Sequence, residues 1–242
     1  MMFSSYSNSK EAVHELTSCL ILYMSEKDGD HPFCLALSGG ETAKDIFRLW
    51  TEEYSEKIDW MRIRFYWVDE RCVPPDSVES NYHHARELLF VPLGIPSEHI
   101  HRIRGENVPE VEAGRYENEV GASVRSLDNL PLFDCIILGV GEDMHTASIF
   151  PHCMELLADK KLYAVSRHPK TGQYRVTMTG KAILCGAPLL IPVWGESKAG
   201  VIASLRNLWQ NCGRMQDVVD DSSPISFIVS SAGDLAQVFA VL

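Results

Sequence analysis

The chain has 242 residues, 45% of them hydrophobic and 23% charged, a length that buries a sizeable core and a composition ordinary for a globular protein. Its formal net charge of −11 argues against nucleic acid or an anionic membrane as a general partner, since either needs a basic face. An anionic small ligand stays open, provided a few cations gather at one place.

In chain order, Val13, Leu16, Leu20 and Met24 recur at helical spacing, and residues 33–37 read as a short buried strand. The next helix is expected to start near Thr42, where Thr42-Ala43-Lys44-Asp45 resembles a capping box, and to run to about Tyr54. Residues 62–68 read as a strand and 81–90 as a helix. After a connection carrying Pro and Gly, the positions Ala113, Tyr116, Val120, Val124 and Leu127 mark a further helix, which leads into a strand over 133–138. Extended patterns follow at 162–165, 174–178 and 189–193, then a helix over about 198–209, beyond which the pattern is ambiguous. This alternation predicts an α/β fold, a mostly parallel sheet flanked by helices on both faces. Without a repeat, a low-complexity tract or a linker, residues 1–242 read as a single domain.

The first ten residues carry neither a basic n-region nor a long apolar core, and no apolar run approaches a membrane span, so no secretory signal and no membrane partner are expected. Seven cysteines (Cys19, Cys34, Cys72, Cys135, Cys153, Cys185, Cys212) are odd in number and widely spread, with no C-x-x-C pair. That usage fits idle thiols in a reducing cytoplasm better than a disulfide or zinc framework.

Three segments carry candidate chemistry. In the first, Ser38-Gly39-Gly40 lies between a strand and a helix start, so free amides and the positive end of the helix dipole can face a phosphate. A tight turn that needs glycine for its dihedrals is the plain alternative. The dinucleotide fingerprint and the P-loop are both absent. The second segment, Asp69-Glu70-Arg71, reads as a loop at the carboxyl end of a strand, where open α/β sheets assemble ligand sites. There Arg71 would hold a phosphate, Asp69 would bind sugar hydroxyls or order a water, and Glu70 would neutralise a neighbour; a surface ion cluster is the alternative.

The third segment, Leu138-Gly139-Val140-Gly141-Glu142-Asp143-Met144-His145-Thr146, follows an apolar run and sets a carboxylate two residues before an imidazole. His145 is the strongest general-base candidate, with Asp143 fixing its tautomer if the loop folds back. Adjacent His83 and His84 make a poor metal pair, His99 and His101 lack partners at ligand spacing, and no G-x-S-x-G elbow supplies a serine nucleophile.

Together Ser38-Gly39-Gly40, Trp67-Val68-Asp69-Glu70-Arg71-Cys72-Val73-Pro74, Ser80-Asn81-Tyr82 and the run from Gly139 through His145 to Pro151 resemble the motifs of the 6-phosphogluconolactonase family. The resemblance implies the fold shared with glucosamine-6-phosphate isomerase/deaminase and hydrolysis of 6-phospho-D-glucono-1,5-lactone in the oxidative pentose phosphate pathway. It implies no cofactor and no essential metal, and it leaves monomer and homodimer open. Position by position, it makes His145 the catalytic residue, places Asp69 and Asp143 in the site, and sets Gly39, Gly40, Arg71, Arg175 and Lys198 around the phosphate.

Two departures stand out. The family usually has glycine where this chain has Met144, and commonly proline where it has Ala43. If that glycine serves a positive dihedral, methionine there carries about 1–2 kcal/mol of strain. An amino-sugar phosphate isomerase/deaminase is the nearest rival, but the acid that branch carries before Pro151 is replaced here by Phe150. A non-catalytic sugar-phosphate sensor is the second rival, disfavoured because His145 and the phosphate cations are all retained.

Overall fold

The computed structural model describes residues 1–27, 29, 31–127, 130–211 and 219–241. In chain order the first half comprises β1 (Met2–Tyr6), α1 (Ser9–Glu26), β2 (Phe33–Leu37), α2 (Glu41–Glu53), β3 (Ile63–Trp67), β4 (Asp69–Arg71), α3 (Asn81–Ala85) and α4 (Pro109–Ser123). There follow β5 (Ser126–Leu127), β6 (Leu130–Pro131), β7 (Cys135–Ile137), β8 (Tyr163–Arg167), β9 (Tyr174–Met178), α5 (Gly180–Ile183), β10 (Leu189–Val193), α6 (Ala199–Asn211), α7 (Pro224–Ala232) and β11 (Ala236–Val241).

A six-stranded sheet in the order β1-β11-β10-β7-β2-β3 forms the frame, and every neighbouring pair in it is parallel. Strands β2, β7 and β10 are buried at every position, as a sheet covered on both faces requires. Chain order reverses between β2 and β7: from β2 the chain proceeds outward to β3, and from β7 it proceeds the other way to β10 and β11. The crevice beyond the carboxyl ends of such a pair is where open α/β sheets bind ligands. One contiguous core runs through the molecule, with Trp50, Tyr66, Trp67, Tyr116 and Tyr163 as its largest fully buried side chains.

The strand over 62–68 forms as Ile63–Trp67, and the helix over 81–90 starts as α3 and widens at its end, where the Val91 amide reaches back to the Arg86 carbonyl. Three expectations are corrected. The helix expected near Thr42 forms as Glu41–Glu53, but its N-cap is Gly40 at φ 91° and no side chain caps it, so the capping box is absent. Thr42 is buried instead, and its hydroxyl meets Lys198 Nζ at 3.4 Å. The helix marked by Ala113 and Tyr116 spans Pro109–Ser123; proline is the preorganised first residue of that helix, and Val124 is already extended. Leu127, assigned there by its spacing, pairs with Leu130 in a two-stranded turn and is exposed.

The segment Asp69-Glu70-Arg71 is a strand rather than a loop, and it opens a second sheet. Val68 is the pivot, since its N–H donates to the Leu37 carbonyl in the parallel sheet and its carbonyl accepts from Met178 N–H. From there β4 joins β9 and β8 in an antiparallel sheet that lies over the crevice end of the parallel frame. Outside the sequence reading lay β1, α7 and β11, the first two-faced and short, the last two in the stretch whose pattern is ambiguous. Among the described residues no helix is long and apolar enough to cross a membrane. Cys19, Cys34, Cys72, Cys135, Cys153 and Cys185 are free thiols, while Cys212 lies outside the described residues.

Candidate active site

Three chain segments meet at the switch point, and each is tied to the next by a buried bond. Ser38 Oγ accepts from the N–H of Gly139 at 3.0 Å, joining the turn after β2 to the turn after β7. Asn81, at the start of α3, donates from Nδ2 to the Asp69 carbonyl at 2.9 Å and lays its Oδ1 against Gly39. A side chain on Gly39 would overlap Asn81, with a Cβ falling 1.9 Å from Oδ1, so this glycine is required by close approach. Ser148 Oγ donates to Asp69 Oδ2 at 2.6 Å, which fastens the segment after His145 to β4.

Glu70 forms no ion pair among the described residues, although its charge acts on Arg175 from a distance. Its buried carboxylate accepts from the backbone N–H groups of Arg71, Asn81 and Tyr82 and from Ser80 Oγ, and so caps the first turn of α3. That capping holds Asn81 in place and indirectly shapes the Gly39-Gly40 turn.

His145 sits in a small hairpin closed by the Gly141 N–H donating to its own carbonyl at 2.8 Å. The loop folds back so that Asp143 Oδ1 lies 2.5 Å from His145 Nδ1 and 3.2 Å from the His145 N–H. The imidazole packs over Gly141, where a Cβ would fall 2.1 Å from the ring, and against Phe150 at 4.7 Å between centroids. Burial pushes the Asp143 carboxyl up, but the facing His145 and its hydrogen bonds outweigh this and leave it below the usual carboxylate range. Two side-chain-bearing residues of this loop occupy the left-handed region, Met144 at φ 68° and Ala147 at φ 53°. The dihedral expected at the family's glycine position is therefore present in this chain with methionine. Strain of this kind persists where surrounding contacts over-determine the backbone, here the Thr146 Oγ1 bond to the Gly139 carbonyl and the Ile225 N–H bond to the Met144 carbonyl.

Two of the expected phosphate-binding cations meet on the second sheet. Arg71 and Arg175 face each other in the β4–β9 ladder, and neither Arg71, Arg175 nor Lys198 forms an ion pair among the described residues. Both arginine Nε atoms are buried without an acceptor; Arg71 spends only Nη1, on the Glu79 carbonyl. Burial, then the neighbouring Arg71, holds the Arg175 guanidinium below its ordinary range, and burial lowers the Lys198 ammonium. The Arg71–Arg175 pair thus holds unused donors, and at the uncapped first turn of α2 Thr42 touches Lys198. Such donors are stabilised by an anion with several acceptor oxygens.

Sequence reasoning did not assign roles to Asn81 or Ser148, and it weighed Phe150 only as a missing acid. Asn81 stood in a quoted motif, yet its action on Gly39 is a contact between distant segments that spacing does not reveal. A cleft of about 560 Å³ lies beside the site, lined by His152, Arg167, His168 and Lys170 among others. Among the described residues no group of three or more His, Cys, Asp or Glu is placed to hold a metal.

Comparison with known proteins agrees with this fold. Residues 7–236 match the family model described as glucosamine-6-phosphate isomerases/6-phosphogluconolactonase. A Haemophilus influenzae protein named 6-phosphogluconolactonase is 39% identical over 207 residues, covering 85% of this chain and 86% of its own. One of the same name from Treponema pallidum is 43% identical over 171 residues, 71% of each chain. The crystal structure of a devB protein superposes with a TM-score of 0.85 at 33% identity, covering 99% of this chain and 95% of that one.

Proposed function

Because the chain belongs to the glucosamine-6-phosphate isomerase/6-phosphogluconolactonase family, we propose that it hydrolyses 6-phospho-D-glucono-1,5-lactone to 6-phospho-D-gluconate, with His145 as general base. The observation that carries the reading is the Asp143–His145 contact of 2.5 Å together with the arginines Arg71 and Arg175, whose buried Nε atoms have no acceptor and which form no ion pair among the described residues. Asp143 on Nδ1 holds the ring and leaves Nε2 to take a proton from water as the water adds to C1. The same nitrogen then returns that proton to the ring oxygen as the C1–O bond breaks. The lactone is an activated ester, so no covalent nucleophile is needed.

The phosphate sits against Arg71, Arg175, Lys198 and the Gly39-Gly40 turn, and its charge of about −1.5 to −2 offsets most of theirs. Binding at that end fixes C1 relative to His145. Ser38 and Asp69 act at one remove, by joining the three segments. Phe150 supports hydrolysis over amino-sugar isomerisation, because a buried phenyl ring occupies the position where that branch carries a proton-shuttling acid. We place the protein, as one domain over 1–242, in the cytoplasm, in keeping with its free thiols.

Proton NMR of freshly prepared phosphogluconolactone, with the spontaneous opening subtracted, tests the reading. Acceleration proportional to enzyme concentration is expected; a rate equal to the spontaneous one overturns it.

A further inference from the structure

The turn between β8 and β9 is organised by one imidazole. His168 Nδ1 accepts from the backbone N–H of Lys170 and from that of Thr171, each at 3.2 Å. A ring nitrogen that accepts amide protons carries none itself, so the proton of this ring is on Nε2. No described residue accepts from that Nε2–H.

The ring also stands next to the proposed chemistry. It meets Phe150 edge-on at 5.2 Å between centroids, and Phe150 meets His145 at 4.7 Å, so the two imidazoles lie within about 10 Å of each other on one aromatic side chain. It lines the cleft of about 560 Å³ beside the site. Burial, then the charge of Arg175 and of His145, keeps His168 below the ordinary histidine range, so near neutrality it is an uncharged donor. Protonation would also displace the two amides that hold the turn.

We propose that His168 is the oxyanion donor of the lactone hydrolysis, its Nε2–H hydrogen-bonding the C1 oxygen while water activated by His145 adds. The inference rests on the lactonase reading above. As the water oxygen bonds to C1, the carbonyl π pair moves onto the C1 oxygen, and the fixed Nε2–H takes up that charge. When the C1–O bond to the ring oxygen breaks, the pair returns and the proton held by His145 leaves with the ring oxygen, so His168 gains and loses nothing. A neutral, preoriented imidazole suits this task, because its bond strengthens as charge develops while it adds little attraction for the ground state.

Two substitutions separate donation from turn geometry. His168→Asn keeps an acceptor where Nδ1 stands and removes the Nε2–H; His168→Gln carries an N–H to the Nε2 position and removes the turn acceptor. The expected result is a kcat lowered about 10²–10³-fold in His168→Asn with KM within about twofold of wild type, and at least a tenfold recovery in His168→Gln. The reverse order, His168→Asn near wild type and His168→Gln impaired, assigns the residue to the turn and overturns the proposal. So does a loss confined to KM, or two variants with wild-type kcat. If the wild-type protein itself does not accelerate lactone opening, the lactonase reading fails and this proposal with it; an active wild type with an unimpaired His168→Asn removes the proposal alone. Matching circular dichroism and thermal midpoint in His168→Asn shows that a lost kcat is not lost fold.

Discussion

Two arginine-bearing regions of this protein share one fold and are furnished in opposite ways. On α4 Arg115 is clasped by Glu112 and Glu119, and in the segment before it Arg102 is held by both oxygens of Glu106. The hydrogen bond that Arg115 donates to Glu112 leads the causes that raise the Arg115 guanidinium above its ordinary range. Across β4 and β9, Arg71 and Arg175 stand side by side with buried, acceptorless Nε atoms, and Arg175 is lowered. The first network is complete when the chain folds. The second leaves buried donors without acceptors among the described residues. On a chain of net charge −11, the location of unbalanced cations is thus more informative than their number.

The strongest way to break this contrast is to show that the unbalanced region has no chemistry beside it. His145→Ala lowers kcat by about 10²–10⁴-fold while leaving KM close to wild type, read from initial rates with the spontaneous reaction removed. A kcat near wild type contradicts the general-base assignment.

Exchanging one arginine from each region sharpens the contrast. Arg175→Ala raises KM for the phosphorylated lactone about 10–100-fold, the worth of a charge-assisted bond, and leaves the thermal midpoint unchanged or higher because a buried like-charge neighbour is gone. Arg115→Ala does the opposite: activity is kept, and stability falls by about 2 kcal/mol, since Glu112 is buried and retains only the Arg104 N–H and Asn107 Nδ2 as donors. Urea unfolding and steady-state kinetics on both variants check the pair. Similar profiles for the two would erase the distinction.

Acid–base behaviour gives a smaller effect. Burial lowers Lys198, which therefore loses its proton, and its hold on phosphate, at a pH below the ordinary lysine value of about 10.4. Product affinity, followed by calorimetry with 6-phosphogluconate, is expected to weaken on the alkaline side in the wild type and to stay flat there in Lys198→Met. The least effect concerns the strained loop: Met144→Gly relieves φ 68° and is expected to stabilise the fold by about 1 kcal/mol, read as a rise of a few degrees in thermal midpoint.

Much of the frame was legible in the chain because the buried strands at Phe33–Leu37 and Leu189–Val193 are continuous apolar runs, and a parallel sheet demands such runs. His145 was legible because its carboxylate lies only two residues away, so local geometry brings them together. The Asp69 segment was read as a loop because three polar residues after a strand look like its end. Only the partners on β9, a hundred residues later, make it a strand. Contacts between segments also hid Asn81, Ser148 and His168, whose meaning depends on what they touch. Thr42 was mistaken for a cap because its composition fits one, whereas the uncapped glycine before it is what leaves the α2 amides open.

The central claim is that the unpaired cations hold a phosphate so that C1 of the lactone faces His145. Its most direct measurement is the ratio of kcat/KM for 6-phosphogluconolactone to that for gluconolactone in the wild-type protein. The phosphorylated substrate is expected to be favoured by about 10²-fold or more, the combined worth of two or three charge-assisted contacts. Equal values for the two lactones would contradict it.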